Sequence, residues 1–259
     1  MRTNHVKAKL RSGEPSIGAW ISLPDVRVAR LMARLGFDWL LIDAEHSAQH
    51  PMLVADMIAI IADAGTSAPF VRIPSNSLEW FKWTLDAGAW GVLVPMVGTR
   101  EEARQAVNWS KYPPQGTRSI GGVFASYGFG TTNRAEYTQF ANDEIMVILQ
   151  IESREGIQNI DEILSVPGVD VAFIGPNDLH IQLGLPPSTE GAEPEFMAAL
   201  EKVKAAARRN NVAPGMFSSS GEAAATRIRE GFQMVSAITD TTCLVTALAQ
   251  HLKSAQNWQ

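Results

Sequence analysis

The sequence predicts an α/β fold, a (β/α)8 TIM barrel, on three observations. Short apolar runs rich in β-branched residues alternate with segments of helical period along most of the chain. Eight such strand and helix units fit into 259 residues, a length such a barrel takes. No Gly-rich dinucleotide fingerprint follows the first run, which argues against a doubly wound open sheet. No repeat stands out beyond this alternation, and one barrel domain over residues 1–259 is the expected organisation.

After a polar start, SIGAWISL is the first strand. Pro24-Asp25 opens the helix VRVARLMARLG, whose apolar residues recur at three and four and which Gly36 stops. FDWLLIDAEH is the second strand. Pro51 starts the helix MLVADMIAIIADAG, PFVRIP is the third strand, and SLEWFKWTLDAG is the third helix, ending at Gly88. WGVLVPMV and REEARQAVNWS supply the fourth pair. The alternation then pauses through YPPQGTRSIGGVFASYGFGTT, a Gly, Ser and Pro-rich stretch whose length fits a lid or a disordered segment. A helical stretch through NRAEYTQFA leads to the strands MVILQI and VDVAFI, with a helical segment between them. A second Gly/Pro-rich interruption, around LGLPPSTEGAEP, precedes the helix PEFMAALEKVKAAARR, the strand APGMF, the helix GEAAATRIREG, the strand FQMVSAI and a last helix from Thr241 to Lys253. Trp80, Phe81 and Trp83, with Leu248 and Leu252 in the last helix, suit either an oligomer face or packing on the barrel; for single residues packing is the expectation.

With 46% apolar and 19% charged residues the chain can bury a full-sized core. The net charge is −5 and Lys and Arg are scattered, so no basic stripe follows a phosphate backbone and nucleic acid is not an expected partner. The start MRTNHVKAKLRSGEPS lacks the apolar centre of a secretory signal, and no apolar run approaches a membrane span. Cys243 has no second cysteine to pair with. A cytoplasmic protein without membrane contact is expected.

In a barrel the chemistry belongs at the carboxyl ends of the strands. MVILQI and VDVAFI stop at Glu152 and Asp178. Neighbouring parallel strands point their carboxyl ends the same way, so both acids reach one rim, where a carboxylate pair suits a hard divalent cation such as Mg²⁺ or Mn²⁺. The plainer alternative is that each caps the helix that follows. The remaining exits bring Trp20 and Ser22, Asp43, Glu45 and His46, Arg72, Pro95 and Met96, Gln150, Asn177, Ser218 to Ser220 and Asp240 to the same rim. An imidazole, a guanidinium and several carboxylates together exceed what capping requires.

Arg72 lies within VRIP, among residues of buried-strand type, where a guanidinium needs an anion. That anion is either a substrate carboxylate or enolate oxygen, or the partner in an ion pair with Asp43 or Glu45. His46 is a candidate for proton transfer, since an imidazole titrates near neutrality and a neighbouring carboxylate can orient its ring; a structural histidine is the alternative. His5, His50, His180 and His251 sit in loop or helix contexts and are expected to be non-catalytic. None of Lys7, Lys9, Lys82, Lys111, Lys202, Lys204 and Lys253 lies within an apolar strand, where burial would depress an amine for Schiff-base work. P-loop, CxxC and GxSxG motifs are absent as well.

The segments LIDAEH, VRIP with LDAGAWGVLVPMV downstream, YPPQGTRSIGG, QIESREGIQNI and FIGPNDL, in register over nearly the whole chain, resemble the HpcH/HpaI family of class II, metal-dependent pyruvate aldolases. That family includes 4-hydroxy-2-oxoheptanedioate and 2-keto-3-deoxy sugar acid aldolases. The resemblance implies a barrel of the pyruvate/phosphoenolpyruvate group that cleaves a 4-hydroxy-2-oxo acid to pyruvate and an aldehyde. It implies Glu152 and Asp178 as ligands of a divalent cation (Mg²⁺, Mn²⁺ or Co²⁺), with Gln150 close by. It also implies Arg72 at the keto or enolate oxygen, and His46 in proton transfer with Asp43 and Asp86 as associated acids. Gly175, Pro176 and Asn177 match the stretch that holds the pyruvate carboxylate, and Trp20 an aromatic wall of the pocket. Asp86, late in a helix, would act from a neighbouring subunit or indirectly. A homo-oligomer, a hexamer with C-terminal helices exchanged between subunits, follows from the same resemblance. SNSLEWFKW is more aromatic than the family pattern, and residues 123–132 carry no pattern for the acceptor aldehyde. The rival readings are a CoA-thioester lyase or phosphonate-forming mutase of the same barrel group, and a catalytically silent barrel that binds 2-oxo acids.

Overall fold

Runs that are apolar at consecutive positions suit strands covered on both faces, and each of the eight becomes a parallel stave. In the computed structural model, which describes residues 1–257, these are β1 (Ser16–Ile21), β2 (Trp39–Asp43), β3 (Ala68–Arg72), β4 (Gly91–Val94), β5 (Met146–Ile151), β6 (Val171–Ile174), β7 (Ala213–Met216) and β8 (Met234–Thr239). They close into a barrel in chain order, β8 pairing back onto β1. Trp258 and Gln259, the end of the expected 1–259 domain, lie outside the described residues.

Helix α1 (His5–Arg11) precedes the strands, α2 (Val26–Met32), α3 (Pro51–Ala64), α4 (Leu78–Asp86), α5 (Arg100–Ser110), α6 (Phe124–Gly128), α7 (Arg134–Glu144), α8 (Arg154–Gln158), α9 (Ile160–Leu164), α10 (Pro176–Leu183), α11 (Pro194–Asn210) and α12 (Gly221–Arg229) lie between them, and α13 (Asp240–Gln256) follows β8. Their ends follow capping chemistry. Thr99 and Glu102 form a reciprocal capping box on α5, and α3 starts with Pro51 and stops where Gly65 turns left-handed at φ 75°.

The barrel interior is filled by large side chains. Trp39 is fully buried, with Phe70 and Phe173 at ring-centroid distances of 6.4 and 6.5 Å. Gly18 makes room for it: a Cβ there would lie 2.0 Å from the indole. Truncating such a core aromatic to alanine costs about 3–5 kcal/mol.

Several expectations change. The polar N-terminus forms α1, capped by Asn4, whose Val6 and Leu10 are buried. α2 ends at Met32, before Gly36. The segment between β5 and β6 breaks into two short helices at Asn159, whose side-chain amide donates to Gly98 O at 2.9 Å. The stretch at 112–132 is ordered. It is tied down by Trp90 Nε1 donating to Gly128 O and by Arg2 N donating to Phe129 O, each at 2.8 Å, and its short helix α6 packs against α3 and α4.

Phe81 is buried in the core as expected, but Trp83, Leu248 and Leu252 are exposed. Along α13 only Asp240 is buried. Among the described residues, no helix is long and apolar enough to cross a membrane.

Candidate active site

One half of the rim is built by β2 and β3. Their register sets Asp43 directly beside Arg72. The guanidinium forks onto the carboxylate, Nε donating to Oδ1 at 2.9 Å and Nη2 to Oδ2 at 2.7 Å, and Nη1 lies 3.0 Å from Glu45 Oε2. Both Arg72 and Asp43 are buried. Of the two possibilities left open for Arg72, the ion pair is therefore present, and it involves both acids. Asp43 does not hold the imidazole of His46; its Oδ1 accepts the backbone N–H groups of Glu45 and His46, fixing the turn after β2. The carboxylate beside the ring is Glu45, 3.6 Å from His46 Nε2. Burial pushes the Glu45 carboxyl up, while Arg72 and His46 pull it down.

The other half comes from β5 and β6. Glu152, 2% exposed, receives the Met96 backbone N–H on Oε1 at 3.0 Å and the Gln150 side-chain amide on Oε2 at 2.6 Å. Burial pushes its carboxyl up to about 7, and the charge on Asp178 adds to the effect. Gly175 lets these groups converge, because a Cβ on it would sit 1.9 Å from Glu152 Oε2. Asn177 and Asp178 follow in the first turn of α10 and are exposed on the rim.

Between the halves lies a cleft of about 170 Å³ lined by Trp20, His46, Arg72, Gln150, Asp178 and Phe217, among others. Asp43, Gly175, Pro176 and Asn177 also reach it. The Arg72 guanidinium stacks 4.4 Å above the Trp20 ring, and Phe217 meets that ring edge-on at 5.4 Å. Trp20 Nε1 and Gln150 Oε1 are buried polar atoms without a partner among the described residues.

Asp86 is not brought to the cleft. It ends α4 at the opposite mouth of the barrel, 3.2 Å from Arg118 Nη2. Asp240 is a backbone cap, accepting from Ser22 N, Leu23 N and Thr241 N. His180, on α10, is buried against Phe196 of α11, with Nδ1 2.6 Å from Pro176 O.

Two features lacked a sequence signal for their role. Glu45 stands among the rim residues, but its contact with Arg72 and His46 depends on the turn that Asp43 caps. Met96 contributes a backbone N–H from a left-handed conformation, φ 54°, that methionine rarely adopts.

A divalent cation suits this donor set. No cluster of three or more His, Cys, Asp or Glu that could hold a metal ion occurs among the described residues; a cation held by Glu152 and Asp178 would need water and substrate in its other positions. A carboxyl raised by burial gains most from such a charge.

Residues 16–247 match the profile described as HpcH/HpaI aldolase/citrate lyase. The chain belongs to this family. Within the HpcH/HpaI family it is 39% identical over 245 residues to a 4-hydroxy-2-oxo-heptane-1,7-dioate aldolase of Escherichia coli, covering 94% of this chain and 92% of that protein. It is 36% identical over 253 residues to a hydroxypyruvate/pyruvate aldolase of Rhizorhabdus wittichii, covering 98% and 99%. A solved HpcH/HpaI aldolase/citrate lyase family protein from Burkholderia cenocepacia J2315 superposes with a TM-score of 0.90 at 34% identity, over 98% of this chain and 100% of that one.

Proposed function

We propose that the protein is a class II pyruvate aldolase, reversibly cleaving a 4-hydroxy-2-oxo acid to pyruvate and a small aldehyde. The observation that carries this reading is the meeting of Arg72, His46, Gln150 and Asp178 in one cleft, with Glu152 buried behind it and hydrogen-bonded to Gln150. Glu152 and Asp178 would hold a divalent cation (Mg²⁺, Mn²⁺ or Co²⁺), which supplies Lewis acidity at the substrate keto oxygen when bound.

The chain's own groups divide the remaining work. Arg72, locked by Asp43 and Glu45, keeps a positive charge beside the oxygen that becomes negative as the C3–C4 bond breaks. The backbone of Gly175 to Asn177, at the start of α10, receives the pyruvate carboxylate where helix N–H groups are free. His46, exposed on the rim, takes the proton from the C4 hydroxyl directly or through water, and Glu45 steadies the resulting imidazolium. Trp20 walls the pocket.

Asp86 enters the scheme from a neighbouring subunit, with Arg118 holding its partly exposed carboxylate in place. The exposed apolar side chains Leu244, Val245, Leu248 and Leu252 on α13 support a homo-oligomer, a hexamer that exchanges this helix. A cytoplasmic location completes the reading.

Assay of pyruvate release tests it. Chelation by EDTA abolishes retro-aldol activity and Mn²⁺ restores it, and borohydride with pyruvate traps no covalent adduct. His46→Ala lowers kcat by about 10²-fold or more with a smaller change in KM. Activity that survives chelation, or a trapped adduct, would overturn the scheme.

A further inference from the structure

A cavity of about 360 Å³ opens at the other mouth of the barrel, where Met146 and Ala213 begin β5 and β7 and Asp170 precedes β6. Two lysines line it. Lys7, on α1, is 6% exposed, and Lys111, just after α5, is 2% exposed. Both ammonium groups donate to the same carbonyl, Ile145 O, at 3.3 and 2.6 Å, which forces two like charges together. Lys111 donates also to Asn142 O at 2.7 Å, a neutral acceptor.

The counter-charge is incomplete. Lys7 pairs with Asp170 at 2.9 Å, and the other oxygen of that carboxylate accepts Val147 N at 2.9 Å. Arg11 adds a third cation to the wall and Asp143 a second acid, so three cations stand against two carboxylates. Burial, with the charge of Lys7 behind it, pushes the Lys111 ammonium down to about 8. A buried charge left short of a partner is unfavourable, and an anion seated in the cavity offsets that. The side-chain amides of Gln115 and Asn211 line the same space and offer further donors.

We propose that this cavity is a second ligand site, taking a small oxyanion, phosphoryl or carboxylate, against Lys7, Arg11 and Lys111. It is separate from the aldolase cleft and shares no residue with it. Lys111 also ties residues 142 and 145 to the end of α5, so an anion there reinforces the base of the long excursion that precedes β5.

The test uses the full chain and the cleft variant Gly175→Ala, each titrated calorimetrically with inorganic phosphate and separately with acetate at constant ionic strength. Saturable binding of at least one anion, equal in the two proteins, is expected. Phosphate alone would assign a phosphoryl ligand and acetate alone a carboxylate. Arg11→Gln, at an exposed position, weakens the affinity about five-fold without moving the melting temperature of the anion-free protein, and Asp143→Asn strengthens it by a similar factor. The proposal fails if neither anion binds at up to roughly 20 mM. It fails equally if Gly175→Ala abolishes the binding, or if both Arg11→Gln and Asp143→Asn leave the affinity unchanged.

Discussion

Arg72 and Asp43 meet edge to edge, two nearly parallel hydrogen bonds of 2.9 and 2.7 Å joining adjacent strands at the same register position. Neither group can rotate without breaking the fork, so the third guanidinium nitrogen is delivered to Glu45 and the cleft. Arg72→Lys keeps the charge but cannot make this fork. We expect kcat for pyruvate release to fall about 10²–10³-fold. Stability should fall by less than the roughly 3–5 kcal/mol of losing a buried partner outright. Steady-state kinetics and a denaturant midpoint measure both; a kcat within two-fold of wild type would remove Arg72 from the chemistry.

Glu152 sets a pH dependence. Burial, reinforced by Asp178, raises its carboxyl from 4.5 to about 7, so in the metal-free fold it holds a proton that the unfolded chain has already released. Stability from this group is complete below about 4.5 and is lost as pH rises through about 7, up to about 3 kcal/mol in all. Comparison of chelator-treated wild type with Glu152→Gln, by urea unfolding across that range, isolates the effect. Mn²⁺ must displace the same proton, so its affinity should rise with pH up to about 7 and then level off, with close to one proton released on binding near pH 6. Calorimetry in buffers of different ionisation enthalpy counts that proton; an affinity flat between pH 5 and 7 contradicts the assignment.

The strands and rim positions are legible in the chain because a parallel stave buried on both faces is apolar at every position and breaks at its exit. That logic carries Glu152, Asp178, Arg72 and His46 to one end of the barrel. It does not say which oxygen meets which hydrogen. The resemblance makes Asp43 and Asp86 the acids associated with His46, yet the Asp43 carboxylate is consumed by Arg72 and by two backbone N–H groups. Only the bend at Ala44 and Glu45 decides that outcome. Lys111 shows a different limit. It lies at the end of an amphipathic helix, where solvation is the ordinary expectation, and becomes buried because residues 142–145 fold back over it from about thirty positions away. The 112–132 stretch is polar and Gly-rich yet ordered, since Trp90 and Arg2, distant in sequence, supply its anchors.

Gly175 offers a direct probe of the site's close packing. Its φ of −94° is ordinary for alanine, so Gly175→Ala introduces no backbone strain. The added methyl would instead lie 1.9 Å from Glu152 Oε2 and 2.6 Å from Gln150 Nε2, and both side chains must move. Mn²⁺ affinity is expected to drop about 10–100-fold while the circular dichroism spectrum stays that of the folded barrel. Unchanged affinity would mean that Glu152 does not serve the cation from this position.

Met96 separates the backbone from the side chain at the same carboxylate. Its N–H donates to Glu152 Oε1 at 3.0 Å from a left-handed conformation, φ 54°, which costs a residue with a Cβ roughly 1–2 kcal/mol. The side chain itself is partly exposed on the rim. Met96→Gly removes the strain and keeps the donor; the greater freedom of the unfolded chain offsets about 0.5–1 kcal/mol of the gain, so stability should change by less than about 1 kcal/mol. Mn²⁺ affinity should hold within about two-fold, since the contact is made by the backbone. Met96→Pro removes the donor and cannot reach positive φ, so the loop must rebuild and Glu152 Oε1 loses a partner in a buried setting. Binding of Mn²⁺ by the proline variant is then expected to weaken at least ten-fold, with kcat falling in step. If glycine and proline gave the same Mn²⁺ affinity, the Met96 N–H would have no part in holding Glu152 for its ligand.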